Sequence, residues 1–205
     1  MSWKTRTPAA VLGVGLLAIF LLLFFGQPMA EEGAKEEKAA PQFTYLGAAK
    51  CKMCHSTEKS GAQYKIWESK RHSKAFETLK TAEADSIAKA QGLKVCAAEA
   101  PECLSCHVTA YGQPAEVRGE KLAFDEGVGC EACHGPGSDY YKMTAMKKLF
   151  AGEIEPASVG LVVPDEKLCK TCHNEKSPTY QPFDYKTFAA KIAHPVPPRE
   201  EAKEE

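Results

Sequence analysis

The sequence GVGCEACHGPG, residues 127–137, contains Cys130, Cys133 and His134 in the order C-x-x-C-H. The same pentapeptide pattern occurs three more times, as CKMCH, CLSCH and CKTCH, so that eight of the nine cysteines belong to it. In chain order the four copies are Cys51, Cys54 and His55; Cys103, Cys106 and His107; Cys130, Cys133 and His134; and Cys169, Cys172 and His173. This repeated unit decides the fold, because it fixes what the chain is built around.

The spacing within the motif is typical of covalent haem attachment. Each thiol adds to one vinyl group of a haem, and the histidine that follows turns its imidazole toward the iron. Redox dithiols, zinc sites and disulfide frameworks also use closely spaced cysteines, but none of them requires histidine after the second cysteine in all four copies. The sequence therefore predicts four haem c groups per chain, covalently attached, with His55, His107, His134 and His173 as axial ligands.

The remaining ligands are too few to fill the opposite side of every iron. The chain has six histidines, and the four motifs use all but His72 and His194, which we predict to be distal ligands. At most two irons can then have two histidine ligands. The others are open or are held by another residue type such as methionine, for which Met143 and Met146 are the candidates. Cys96, the ninth cysteine, is predicted to be a buried free thiol, with haem ligation as the alternative.

The N-terminal residues indicate export. Lys4 and Arg6 precede an apolar run of 18 residues, 9–26, which is long for a signal peptide and short for a membrane span. We therefore predict that residues 1–30 form a signal peptide or an uncleaved membrane anchor, and we favour the anchor because Pro28-Met29-Ala30 is a poor cleavage site. Residues 31–42 form a charged linker, 43–195 the tetrahaem cytochrome domain and 196–205 a charged tail.

The local pattern favours helices. Residues 60–79 have apolar side chains at helical spacing, and residues 81–91 read as a second helix that Thr81 caps and Gly92 ends. Residues 144–150 and 183–192 favour two more, and residues 116–124 are compatible with a short hairpin. The fold class predicted is mainly α, a multihaem cytochrome c in which short helices and irregular loops wrap around four covalently bound haems. The short gap between His107 and Cys130 predicts that the second and third haems are neighbours.

Beyond the motif, longer strings resemble the tetrahaem cytochrome c-554 family of ammonia-oxidising bacteria. They are KCKMCH followed by W-x4-H-x-K-A (Trp67 to Ala75), ECLSCHVTAYGQ, GVGCEACHGPG, and LCKTCH with a later Pro182-Phe183 and a terminal His194. The resemblance covers about residues 49–194.

The resemblance implies a set of axial ligands. His72 would lie opposite His134 at the third haem, His194 opposite His173 at the fourth, and the second haem, on His107, would be five-coordinate. The family fills the first haem with a histidine about ten residues after the third motif, where SDYYKMTAM has none. We therefore predict Met143 opposite His55, with Met146 or an open position as the alternatives.

These features predict an exported electron carrier, periplasmic or anchored to the inner membrane, that exchanges electrons with redox protein partners, a donor and an acceptor. The alternative is a reductase of nitric oxide, nitrite or hydroxylamine at the five-coordinate haem, although no acid–base residues for it can be identified. The formal net charge of −1 gives no indication of a nucleic-acid surface.

Overall fold

The computed structural model describes residues 43–196. The predicted leader (1–30), the linker (31–42) and residues 197–205 of the tail lie outside these residues. Between residues 43 and 196 the chain forms α-helices and no strand, so the mainly α prediction is confirmed there. The helices are α1 (Ala48–His55), α2 (Gln63–Glu68), α3 (Ala75–Leu79), α4 (Ala82–Ala90), α5 (Pro101–His107), α6 (Cys130–His134), α7 (Met143–Ala151), α8 (Glu166–Cys169) and α9 (Tyr185–Ile192).

One of the predicted helices forms as expected and another does not. Helix α4 begins as expected, because the Thr81 side chain accepts a hydrogen bond from the Ala84 N–H. The single helix predicted for residues 60–79 is wrong, since α2 ends at Glu68 and a 3-10 turn, His72–Lys74, precedes α3. The Ser73 hydroxyl donates to the carbonyl oxygens of Glu68 and Lys70 at 3.0 and 2.8 Å, and such local bonds compete with the helical ones.

The hairpin considered for residues 116–124 does not form. A 3-10 helix, Ala115–Val117, stands there instead, followed by turns. The backbone of Tyr45 pairs with this segment: its N–H donates to the Val117 carbonyl at 2.8 Å and its carbonyl accepts from Gly119 at 2.9 Å. The N-terminal end of the described chain is thereby joined to the loop between the second and third motifs.

The hydrophobic core is small. Its central cluster is formed by residues of α3, α4, α5 and the adjoining loops, namely Phe76, Leu79, Ala88, Ala97, Leu104 and Val108. Five of the ten buried apolar residues in the described structure are alanines, and no large apolar side chain there is completely buried; Leu104, at 3% exposure, comes nearest. A domain of this size normally buries several large side chains, so this polypeptide is suited to packing around an additional apolar body.

Residues 43–196 contain no helix long and apolar enough to cross a membrane. The anchor predicted within residues 1–30 lies outside the described residues.

Candidate haem-binding site

Each attachment motif lies on a helix or at its end. The first three motifs close α1, α5 and α6, while α8 ends at Cys169 and places Cys172 and His173 in the turn that follows. Residues three and four apart on a helix share one face, so both thiols and the imidazole of a motif project from the same side. All nine cysteines lie among the described residues and are free thiols there. The arrangement suits a flat group attached at two edge positions and bound axially.

The motifs approach one another in a definite order. The Cys51 thiol lies near Cys130, whose hydrogen bond lowers the pKa of Cys51. Burial raises the pKa of Cys172 to about 11, and the neighbouring thiol of Cys106 adds to this rise. Burial also raises the pKa of Cys133, with a contribution from Cys169. The first motif therefore adjoins the third, the third adjoins the fourth, and the fourth adjoins the second.

Four histidines form two pairs. The ring centroids of His72 and His173 are 5.9 Å apart, and those of His134 and His194 are 5.8 Å apart. An imidazole nitrogen binds a metal ion at about 2 Å, so two imidazoles on opposite sides of one ion have centroids about 6 Å apart. Each pair is thus spaced to hold one iron between its rings, and the residues present fit bis-histidine haem.

These pairs differ from the ones that the resemblance implied. His72 faces His173 of the fourth motif rather than His134, and His194 faces His134 of the third motif rather than His173. The 3-10 turn after α2 carries His72 toward the fourth motif, whereas the end of the described chain returns His194 to the third. Spacing along the sequence does not reveal this exchange.

The segment before the third motif positions His72. The Val128 N–H donates to the His72 carbonyl at 2.9 Å, and the Val128 carbonyl accepts from Nε1 of Trp67 at 2.8 Å. Gly127 has a φ of +72°, and a Cβ atom there would lie 2.8 Å from the His72 carbonyl oxygen, so glycine is required. Burial lowers the pKa of His72, and His173 lowers it further, which favours the neutral imidazole that binds a metal.

The second and third motifs are also joined. Thr109, two residues after His107, donates its hydroxyl to the Gly127 carbonyl at 2.9 Å and accepts from the Gly129 N–H at 2.7 Å. These bonds close the intervening loop at its base. The predicted proximity of the second and third haems stays a prediction, since the bonds join the segments that follow and precede the motifs.

Two histidines lack an imidazole partner. His55 and His107 have no ring contact with another histidine among residues 43–196, as expected from the ligand count. Nδ1 of His107 lies 2.7 Å from the carbonyl oxygen of Ala75, and Nδ1 of His55 lies 3.1 Å from Oε1 of Gln63. These contacts leave Nε2 of each ring available to a metal.

The predicted sulfur ligands have different surroundings. Met143 begins α7 and is 57% exposed, and Met146 lies one turn later on the same helix. Ligation of Met143 to the iron of His55 stays a prediction. The expected burial of Cys96 is wrong, because it is exposed in the loop between α4 and α5. There the Ala97 N–H bonds to Asp85 at 2.8 Å, which turns Ala97 inward and Cys96 outward.

Two carboxylates, one buried and one half-buried, were not predicted. Glu131, between the cysteines of the third motif, is 2% exposed and accepts hydrogen bonds from the N–H groups of Leu46, Gly47 and Gly137 at 2.6–2.9 Å. Burial raises its pKa, and these bonds oppose the rise. An acid inside a motif whose other copies carry only basic or neutral residues was the available sequence signal. Glu126 gave no such signal.

Only one of the two carboxylate oxygens of Glu126 has a hydrogen-bond partner. Its Oε2 atom accepts from the Ala48 N–H at 2.9 Å, while its buried Oε1 atom has no hydrogen-bond partner. Burial raises its pKa from 4.5 to about 7, with contributions from the nearby carboxylates of Glu131 and Asp125.

This pKa predicts a pH-dependent effect of Glu126→Gln. As pH rises from 4.5 to 7, the Glu126 carboxyl loses its proton in the unfolded chain before it does so in the folded one, so the free energy of unfolding of the wild type falls. Above pH 7 the destabilisation caused by ionised Glu126 is complete. We expect the variant to be more stable by about 1–2 kcal/mol at pH 8, after allowance for partial exposure, and unchanged at pH 4.5. Urea unfolding at both values measures this, and an equal difference at both would contradict it.

Comparisons with known proteins identify a family of c-type cytochromes. The family described as cytochrome c554 and c-prime matches residues 50–135. Cytochrome c-554 of Nitrosomonas europaea is 30% identical over 175 residues, which cover 80% of this chain and 68% of that protein. No solved structure matches. These matches show that the chain belongs to the cytochrome c-554 family.

Proposed function

We propose that this chain is an exported tetrahaem cytochrome that passes electrons between a protein donor and a protein acceptor. Membership of the family makes it a c-type cytochrome and an electron carrier. The number of haems, the export and the partners are the proposal. Haem, when bound, supplies an iron that gains or loses one electron without a change of its protein ligands. The two histidine pairs carry the proposal, because each fits an iron with no position left for a substrate.

The ligand assignment rests on the four motifs, on the two histidine ring contacts and, for Met143, on the resemblance. Eight motif cysteines tether the haems: Cys51, Cys54, Cys103, Cys106, Cys130, Cys133, Cys169 and Cys172. His173 and His72 hold the fourth iron, and His134 and His194 the third. His55 and His107 hold the first and second irons, with Met143 opposite His55. The order of neighbouring motifs, first to third to fourth to second, makes a continuous series of attachment sites across the domain.

Export is supported by the basic and apolar leader and by the chemistry of attachment, which takes place outside the cytoplasm. The family indicates redox proteins as the partners. We propose the periplasm as the compartment in which the chain meets its donor and acceptor.

Intact-mass analysis of the mature, exported protein tests the proposal. We expect the mass of the polypeptide plus four haem groups, and loss of one haem from a variant in which Cys130 and Cys133 are both serine. A mature protein without covalent haem would overturn the proposal.

The Met143 ligand predicts the result of Met143→Ala. A thioether favours ferrous iron, so its loss should lower the reduction potential of the first haem or convert that haem to high spin. Met146→Ala, one turn along the same helix, is the matched control. Electron paramagnetic resonance of the oxidised protein measures the change, and an unaltered set of signals in Met143→Ala would exclude Met143 as the ligand.

A second candidate function, reduction of a small nitrogen oxide at the iron of His107, is favoured by one observation. A cavity of about 250 Å³ follows the second motif and is lined by Val108, Thr109, Tyr111, Arg118 and Phe124, among others. Arg118 supplies a positive charge for an anion such as nitrite. Binding of carbon monoxide or nitric oxide to the reduced protein, followed by turnover, would favour this function, and four six-coordinate haems would exclude it.

A further inference from the structure

Gln63, the first residue of α2, lies between two segments that carry proposed iron ligands. Its Oε1 atom lies 3.1 Å from Nδ1 of His55. Its Nε2 atom donates to the carbonyl oxygens of Ser60 and Pro195, the latter at 2.9 Å. Pro195 directly follows His194 in the chain. The amide therefore connects the first motif with the segment that holds the distal histidine of the third.

The two carbonyl acceptors fix the orientation of this amide. A carbonyl oxygen cannot donate, so the NH2 group of Gln63 must face Ser60 and Pro195, and its oxygen must face His55. An amide oxygen only accepts, so the proton of the neutral imidazole is on Nδ1. Nε2 of His55 is then the nitrogen with a free lone pair.

His55 differs in this respect from two other motif histidines. His107 contacts the main-chain carbonyl of Ala75 at 2.7 Å, and His134 contacts that of Val162 at 3.3 Å. A main-chain acceptor is present whatever side chain the residue carries, whereas the partner of His55 depends on the identity of residue 63. Such a partner orients the ring and raises the basicity of the coordinating nitrogen.

We propose that Gln63 is a positioning residue that fixes the tautomer of His55 and tunes the reduction potential of the haem on the first motif. This inference rests on the proposed function, because it requires haem at that motif. Since the amide oxygen accepts a hydrogen bond from Nδ1–H, it makes the imidazole a stronger electron donor to the iron, which favours the ferric state.

The Gln63→Leu variant removes the acceptor. In the mature haem-loaded protein we expect the potential of one centre to rise and the other potentials to stay unchanged. The centre is assigned as the one whose spectrum changes in a His55→Met variant. Gln91→Leu is the matched control, because Gln91 is exposed at the end of α4 and its side chain makes no hydrogen bond in the described structure. Equal behaviour of the two leucine variants would overturn the inference.

The Gln63→Glu variant keeps the inference testable if the leucine variant folds poorly. A protonated carboxyl replaces both functions of the amide, accepting from His55 and donating to a carbonyl. Once ionised it is a stronger acceptor, so the potential of the same centre should fall more steeply with pH than in the wild type. An unchanged pH profile would contradict the role of Gln63.

The failures are distinguishable by intact mass. Unchanged potentials in variants that carry four haems overturn the role of Gln63 alone, whereas wild-type protein without haem on the first motif overturns the proposed function.

Discussion

Replacement of Glu131 by alanine is expected to lower the free energy of unfolding by about 3–5 kcal/mol. The carboxylate is almost completely buried and accepts four hydrogen bonds from three N–H groups. Removal leaves the donors of Leu46, Gly47 and Gly137 without their acceptor in a region that excludes water. Each unsatisfied buried donor costs about 1–3 kcal/mol, and this makes the substitution among the most damaging of those that keep the motif cysteines and histidines.

Urea unfolding at neutral pH, followed by circular dichroism, measures this loss. Glu58→Ala is the control, because the Glu58 side chain is 83% exposed and its ion pair with Lys65, at 3.1 Å, lies at the surface. We expect the control to change stability by less than about 1 kcal/mol. A loss for Glu131→Ala no greater than that of the control would show that the three N–H groups find other acceptors.

The second large effect concerns the spin state of one iron. Replacement of His72 by alanine is expected to convert one low-spin haem completely to a high-spin or solvent-ligated form, because the structure offers the iron of His173 no other distal histidine. Electron paramagnetic resonance of the oxidised protein should show one low-spin signal lost. His194→Ala should remove a different signal.

Double variants identify which iron is affected. If His72 and His173 bind the same metal, His72→Ala combined with His173→Met alters one centre. His72→Ala combined with His134→Met should then alter two. If the His72→Ala and His134→Met combination alters one centre and the His72→Ala and His173→Met combination alters two, His72 is paired with His134. That result would support the pairing that the family resemblance implied and refute the pairing of His72 with His173.

The parts of the fold that depend on neighbouring residues were predictable. The spacing within each motif and the Thr81 cap of α4 each depend on a few neighbouring residues, and the structure has both features. The continuous helix over residues 60–79 was not excluded by local pattern, because the hydroxyl of Ser73 reaches main-chain carbonyls whose geometry is known only after folding.

In the site, too, the features that need only composition were predictable, and those that need the folded chain were not. The histidine count predicts that two of the motif histidines have no imidazole partner, since that conclusion needs only composition. Which rings meet depends on how residues about 60 or 100 positions apart come together, and the ring contacts indicate a different pairing from the one that the resemblance implied. Glu126 and Gln63 each bond to a main-chain group distant in sequence, Ala48 and Pro195 respectively, so no local pattern marks them. The acid at Glu131 was visible within its motif, but its bonds to Leu46 and Gly47 were not.

The carboxylates of Glu126 and Glu131, which accept hydrogen bonds from the start of α1, also affect the order in which the chain can fold. The N–H groups of Leu46, Gly47 and Ala48 donate hydrogen bonds to the side chains of residues 126 and 131, which lie some eighty positions later in the chain. During synthesis from the N terminus, the first cysteine pair therefore cannot reach its folded position until the residues of the third motif are available.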